Sequence, residues 1–262
     1  MLTQSVNDSL HRTPVLSIIA RDSCTSLRDC LIIRHAMRRA LKLLDSTVGK
    51  KLLMALSGFA LLGFVFFHML GNLKIYQGAD KYDAYAEFLE VMGAPILGSH
   101  QALWLARLAL LIAVAVHIRC AASLTRLSRG ARPVNYRKDN DLAFSYASRT
   151  MRWGGLIVLA FIVYHLLHLT LGVVHMPADD EHSVYARVVF GFRQWPIALA
   201  YVFAMIPLSL HLYHGVWSMT QTLGIETPWV VRCRRPVAAG FAIIVATGNI
   251  SIPLAVLTGL VR

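Results

Sequence analysis

Apolar residues fall in five runs of about 20 residues each, the length that crosses a hydrocarbon core as a helix. The runs extend roughly from Leu52 to Leu73, Gln101 to Leu124, Trp153 to Val174, Pro196 to Thr220 and Pro236 to Leu260. None carries Asp or Glu in its interior. The first run starts far into the chain and contains His68, so it does not read as a cleaved signal peptide. The pattern predicts an all-α integral membrane protein, a five-helix bundle. Residues 46–262 form the membrane domain and residues 1–45 a polar, basic N-terminal arm.

Between the runs the pattern changes. Tyr82, Tyr85, Phe88 and Leu89 recur at helical spacing, which predicts a short helix on the membrane surface after the first span. Trp153-Gly154-Gly155 opens the third span with small residues that favour close helix approach. Met37 to Leu44 is a short basic amphipathic segment, placed to lie along headgroups or to meet a cytoplasmic partner. Met37 is a second candidate start of the chain. The sequence holds no internal repeat, Gly-rich phosphate loop, carboxylate pair or serine nucleophile motif.

Composition agrees with the pattern. Hydrophobic residues make up 56% of the chain and charged residues 15%, against about a quarter charged in soluble domains. The net charge of +12 could point to nucleic acid, but its placement follows topology instead. Basic residues crowd the N-terminal arm (Arg34, Arg38, Arg39, Lys42, Lys50, Lys51), the loop after span two (Arg126, Arg129, Arg132, Arg137, Lys138) and the loop after span four (Arg232, Arg234, Arg235). The other two loops hold Asp80, Asp83, Glu87 and Glu90, then Asp179, Asp180 and Glu181. The positive-inside rule puts the N-terminus in the cytoplasm and, after five crossings, the C-terminus outside. The expected location is the cell inner (plasma) membrane, as a multi-pass protein with lipid as neighbour and no nucleic-acid partner. Cys24, Cys30, Cys120 and Cys233 fall on or near the cytoplasmic side, where disulfides are rare.

Histidine is the chemistry left inside the spans. Ionisable side chains at membrane depth are costly and mark functional sites. His68 lies in span one, His117 in span two, His165 and His168 in span three, His211 and His214 in span four. With a rise of about 1.5 Å per residue, His68 sits about 24 Å above Leu52, and His117 about 24 Å below Gln101. His165 and His168 are about 18 and 22 Å above Trp153, and His211 and His214 about 22 and 27 Å below Pro196. Spans one and three therefore supply an outer layer, and spans two and four an inner one. Two haems stacked in a four-helix core, each with two histidine ligands, account for that arrangement. Zinc is disfavoured because no thiolate or carboxylate joins either layer. No Cys-x-x-Cys-His occurs, so a haem would be held without thioether links. Depth leaves His165 and His168 as alternatives, and likewise His211 and His214.

These residues resemble the cytochrome b membrane anchor of succinate dehydrogenases and fumarate reductases, in its single-polypeptide, five-helix, two-haem form. The likeness runs from about Lys50 to the C-terminus. It rests on Phe67-His68, Val116-His117, Val163-Tyr164-His165 and His211-Leu212-Tyr213-His214-Gly215-Val216-Trp217-Ser218. The resemblance implies His68 and His165 as ligands of an outer haem iron and His117 and His211 of an inner one. His168, His214 and Arg107 are then candidate neighbours of a ligand or a haem propionate. It further implies two b haems and a quinone, menaquinone in the first instance. A flavoprotein with FAD and an iron–sulfur protein would dock on the cytoplasmic face, the whole complex being one that can oligomerise. This chain would be the quinone-reactive electron-transfer subunit, with no dicarboxylate chemistry of its own. Some family members carry a membrane glutamate near the fourth-helix ligand. Here Ser209 stands two residues before His211, so a proton pathway through such a carboxylate is not expected.

Competing readings are a di-haem cytochrome b of another quinone-linked complex, such as a formate dehydrogenase or hydrogenase, and a haem-free membrane transporter or structural anchor. Arg119, near the inner layer, reads as snorkelling to the headgroups, and Trp104 as an interfacial anchor. Tyr164 and Trp217 read as interfacial anchors or haem-edge packing. Met69, Met205 and Met219 read as core filler.

Overall fold

The computed structural model describes His35, Arg39 and residues 42–131, 142–175 and 183–262, with side chains from Met151 onward in the second of these stretches. The N-terminal arm up to Leu41, apart from His35 and Arg39, lies outside the described residues, as do Arg132, Arg137 and Lys138. The backbone divides into a unit ending at Lys51 and a unit of residues 52–262, and the site described below belongs to the second.

All described elements are helical. They are α1 (Thr47–Asn72), a 3-10 turn (Leu73–Gln77), α2 (Ala79–Val91), α3 (Gln101–Gly130), α4 (Leu142–His165) with a π-turn (Leu166–Thr170), α5 (Val184–Arg193), α6 (Trp195–Thr222) and α7 (Pro228–Leu257). Five helices are long and apolar enough to cross a membrane: those within Thr47–Gln77, Gln101–Gly130, Met151–Thr170, Trp195–Thr222 and Pro228–Leu257. That makes the chain a multi-pass membrane protein.

Four of the five helices start or end away from the apolar runs, each for a local reason. α7 begins at Pro228, not Pro236, because Thr227 caps it by accepting from Val230 N, and a proline in the first turn has no N–H to lose. Its first turns carry Arg232, Arg234 and Arg235, which an apolarity scan discards. Span three ends at Thr170, short of Val174, where the π-turn closes and Gly172 takes a left-handed φ of 63°. α1 starts ahead of Leu52 and α3 runs past Leu124 to Gly130, both through basic flanks.

The core lies along α6 and α7 and at the end of the bundle holding α2 and α5. Ala198, Tyr201, Ile252 and Val256 meet Val188, Val189 and Phe192 of α5 there, with Ile75 and Tyr82. α1 joins the bundle through Met69, buried with Leu212, Ala242 and Val245. Gly248 makes this fit possible: a Cβ there would run into Met69 Sδ and lie 2.9 Å from Cγ. In lipid such packing rests on van der Waals contact rather than on the hydrophobic effect, so small residues decide where helices close up.

The predicted surface helix is α2, and it forms a cap with α5. Asp83 accepts hydrogen bonds from Ser183 Oγ at 2.7 Å and from Tyr185 N at 2.9 Å. Ser183 in turn caps α5 by accepting from Ala186 N. A carboxylate at a helix N-terminus also meets the positive end of the helix dipole. Tyr185 donates from its hydroxyl to the Arg262 carbonyl, which brings the C-terminus to the same end.

Candidate functional site

The inner pair is built from the backbone up. α1 presents Met54, Ser57 and Gly58 to His117 of α3. His117 Nδ1 lies 3.2 Å from the Met54 carbonyl oxygen and 3.3 Å from Ser57 Oγ. A carbonyl oxygen only accepts, so the proton sits on Nδ1 and donates to Met54. Nε2 is left with its lone pair, the nitrogen a metal takes. Gly58 lets the ring in, since a Cβ there would stand 3.3 Å from His117 Cε1. On the other side, Gly155 of α4 faces His211 of α6, where a Cβ would make ordinary van der Waals contact, 3.6 Å from Cε1. The two rings lie 6.1 Å apart, centre to centre.

The outer pair is His68 of α1 and His165 of α4, whose ring centres are 5.8 Å apart at 88°. In each pair the two imidazoles come from different helices and meet closely enough that, were a metal ion held between them, both could be its ligands. The π-turn starts directly after His165, and such turns recur at functional sites.

Two helices measure the gap between the layers. On α1, Ser57 touches the inner pair and His68 belongs to the outer one. On α4, Gly155 and His165 play the same parts. Ten or eleven residues of helix put the layers about 15 Å apart. Apolar space exists beside one member of the inner pair: a groove of about 690 Å³ between α4 and α6 has His211 in its wall, with Gly154, Ile157, Phe161, Ala204 and Pro207. Ligand pockets run from about 300 to 1,000 Å³. Among the described residues no three His, Cys, Asp or Glu side chains converge, so a tetrahedral zinc site has no ligand set there. His211, one member of the inner pair, opens into this apolar groove, a setting that suits a haem ligand.

The alternative histidines take other positions. His168 is fully buried; Nδ1 lies 2.9 Å from Tyr201 Oη, and its ring neighbours are Tyr164, His175 and Tyr201. His214 packs edge-on against Trp217 at 5.0 Å, with Nδ1 buried and without a hydrogen-bond partner. Arg107 is exposed and stacks over Trp104, 4.9 Å from the ring centre. Met205 is buried, as core filler would be, and Trp217 is buried too rather than set out at an interface. Cys120 and Cys233 are free thiols, Cys120 buried.

Sequence reasoning missed the groups around the pairs. Ser57, Gly58 and the Met54 carbonyl carry no signal of their own. Tyr201 did carry one: a hydroxyl in the middle of an apolar span needs a partner. The outer pair also has a wall that was not foreseen, a small cavity of about 140 Å³ lined by His68, Asn72, Tyr82, Tyr85 and Val184 beneath the cap.

The chain matches no family model, no curated protein and no solved structure.

Proposed function

We propose that this protein is the membrane-anchor cytochrome b subunit of a succinate:quinone oxidoreductase, with His117 and His211 holding an inner b haem and His68 and His165 an outer one. The observation that carries the reading is the meeting of four histidines from four spans as two ring pairs, 5.8 and 6.1 Å apart centre to centre, in two layers. When bound, the two haems supply one-electron carriers at two depths, between an iron–sulfur partner on the basic face and quinone in the membrane. The chain's own part is to hold and orient. Met54 fixes the His117 tautomer, and Gly58 gives the His117 ring room. The cap of α2 and α5 lies over the His68 side and limits its exposure to water. The basic helix ends, Arg126 and Arg129 of α3 with Arg232 and Arg235 of α7, suit docking of the iron–sulfur and FAD-bearing subunits on the cytoplasmic side of the plasma membrane.

A pyridine haemochrome assay with a dithionite-reduced minus oxidised spectrum on the purified complex tests this. Two b haems per chain are expected. His117→Ala and His211→Ala should each remove one and the same haem signal, and His68→Ala and His165→Ala the other. A chain without haem, or four independent effects, overturns the reading. Co-purification of a flavin-bearing subunit that oxidises succinate separates it from a formate dehydrogenase or hydrogenase subunit.

A further inference from the structure

His168 is the least exposed histidine among the described residues, at 0% exposure, and its Nε2 has no hydrogen-bond partner. Leaving a buried polar atom unpaired is costly, so an orphan of this kind points to a group the protein expects. Its other nitrogen is engaged, with Nδ1 2.9 Å from Tyr201 Oη. Tyr201 is itself buried, and a buried phenol gives its proton to an acceptor. Nδ1 is the acceptor in reach. The imidazole proton therefore sits on Nε2, which makes the orphan a donor.

Its place in the fold says where that donor acts. His168 lies within the π-turn that begins after His165, so its direction is not the one a continuing α-helix would give. Tyr164 stacks on it at 5.6 Å and 18°, and Tyr201 lies 5.9 Å from the His165 ring. The ring that faces His68 is His165, not His168.

We infer that His168 is a positioning residue: held by Tyr201, it donates a hydrogen bond from Nε2 to an acceptor oxygen beside the outer histidine pair. This rests on the haem reading above. Two sources offer such an oxygen, the propionate of the outer haem and the carbonyl of a quinone.

The test is an optical redox titration of the haem-loaded full chain, with and without the soluble quinone menadione, for wild type, His168→Phe and Tyr201→Phe. Both variants should keep two haems per chain. If the oxygen is a propionate, losing the donor leaves its negative charge less compensated. One haem then becomes harder to reduce without quinone, by about tenfold, or about 59 mV for one electron. If it is a quinone carbonyl, the quinone-free potentials stay put and the effect of menadione on the outer haem weakens by a similar factor. Either outcome supports the donor role. Unchanged titrations in both variants overturn it, and so does loss of a haem in His168→Phe, which would make His168 a ligand. Should His168→Phe fail to accumulate, Tyr201→Phe decides, because it keeps the ring and removes only the hydroxyl. A wild-type chain without haem brings down the proposed function and this role with it.

Discussion

His117 carries its proton on Nδ1 because its neighbour there is a carbonyl oxygen, and this one hydrogen bond decides which nitrogen is available. The glycine beside it decides whether the ring fits. Gly58→Val should push His117 off the inner pair, since even a Cβ stands only 3.3 Å from its ring. Loss of such support around a metal ligand costs about tenfold or more in affinity. If the proposed haems are present, the one shared with His211 should therefore fall in occupancy in the haemochrome assay, while the other stays. At this scale the sequence was informative about depth and silent about facing. Rise per residue is nearly constant, so His68, His117, His165 and His211 could be sorted into layers from numbering alone. His165 and His168 differ by less than one turn, and a π-turn between them changes which way each points. No periodicity rule includes that extra residue.

Among the elements, the cap over the outer pair depends on Asp83, which ties α2 to the start of α5 through two hydrogen bonds. Hydrogen bonds to charged groups contribute about 1.5–3 kcal/mol. Asp83→Ala should lower the stability of the cap by about that amount, read as faster amide exchange in residues 79–91 and 184–193 with the rest of the bundle unchanged. Tyr82 gives the same cap a pH limit. Burial, helped by Asp83 and Tyr85, raises its phenol to about 12 from 10.0. The folded pKa lies above the unfolded one, so folding favours the protonated form. Stability is complete below about pH 10 and is lost as pH rises toward 12. Exchange in α2 should accelerate over that window in wild type, and Tyr82→Phe should flatten the response. α2 was legible because Tyr82, Tyr85, Phe88 and Leu89 keep helical spacing. α5 was not. It has 10 residues beside the acidic stretch 179–181, and its buried side is made by Val188, Val189 and Phe192 meeting α6 and α7. The start of α7 was written in Thr227-Pro228 but hidden from a scan for apolar length by the arginines that follow.

For the whole molecule, charge divides the two ends of the bundle. α2, with Asp80, Glu87 and Glu90, shares its end with α5 and the C-terminal Arg262, through Asp83 and Tyr185. α3 carries Arg126 and Arg129 to the other end, where α7 begins with Arg232, Arg234 and Arg235, Arg234 lying 3.9 Å from Glu226. Lys and Arg are retained on the cytoplasmic side during insertion, whereas Asp and Glu contribute little to orientation. Alkaline phosphatase fused after Arg262 should therefore be active outside the cytoplasm, and the same enzyme fused after Gly130 should be inactive. A fluorescent protein, which matures inside, should give the opposite pattern at both positions. The five spans among the described residues make this result informative, because an odd number of crossings would put the two ends on opposite sides. An active fusion after Gly130 would exchange the layers, placing His117 and His211 on the outer side. On the proposed function, the basic face would then no longer meet a cytoplasmic iron–sulfur partner, and electron entry would have to be sought beneath the cap, beside His68.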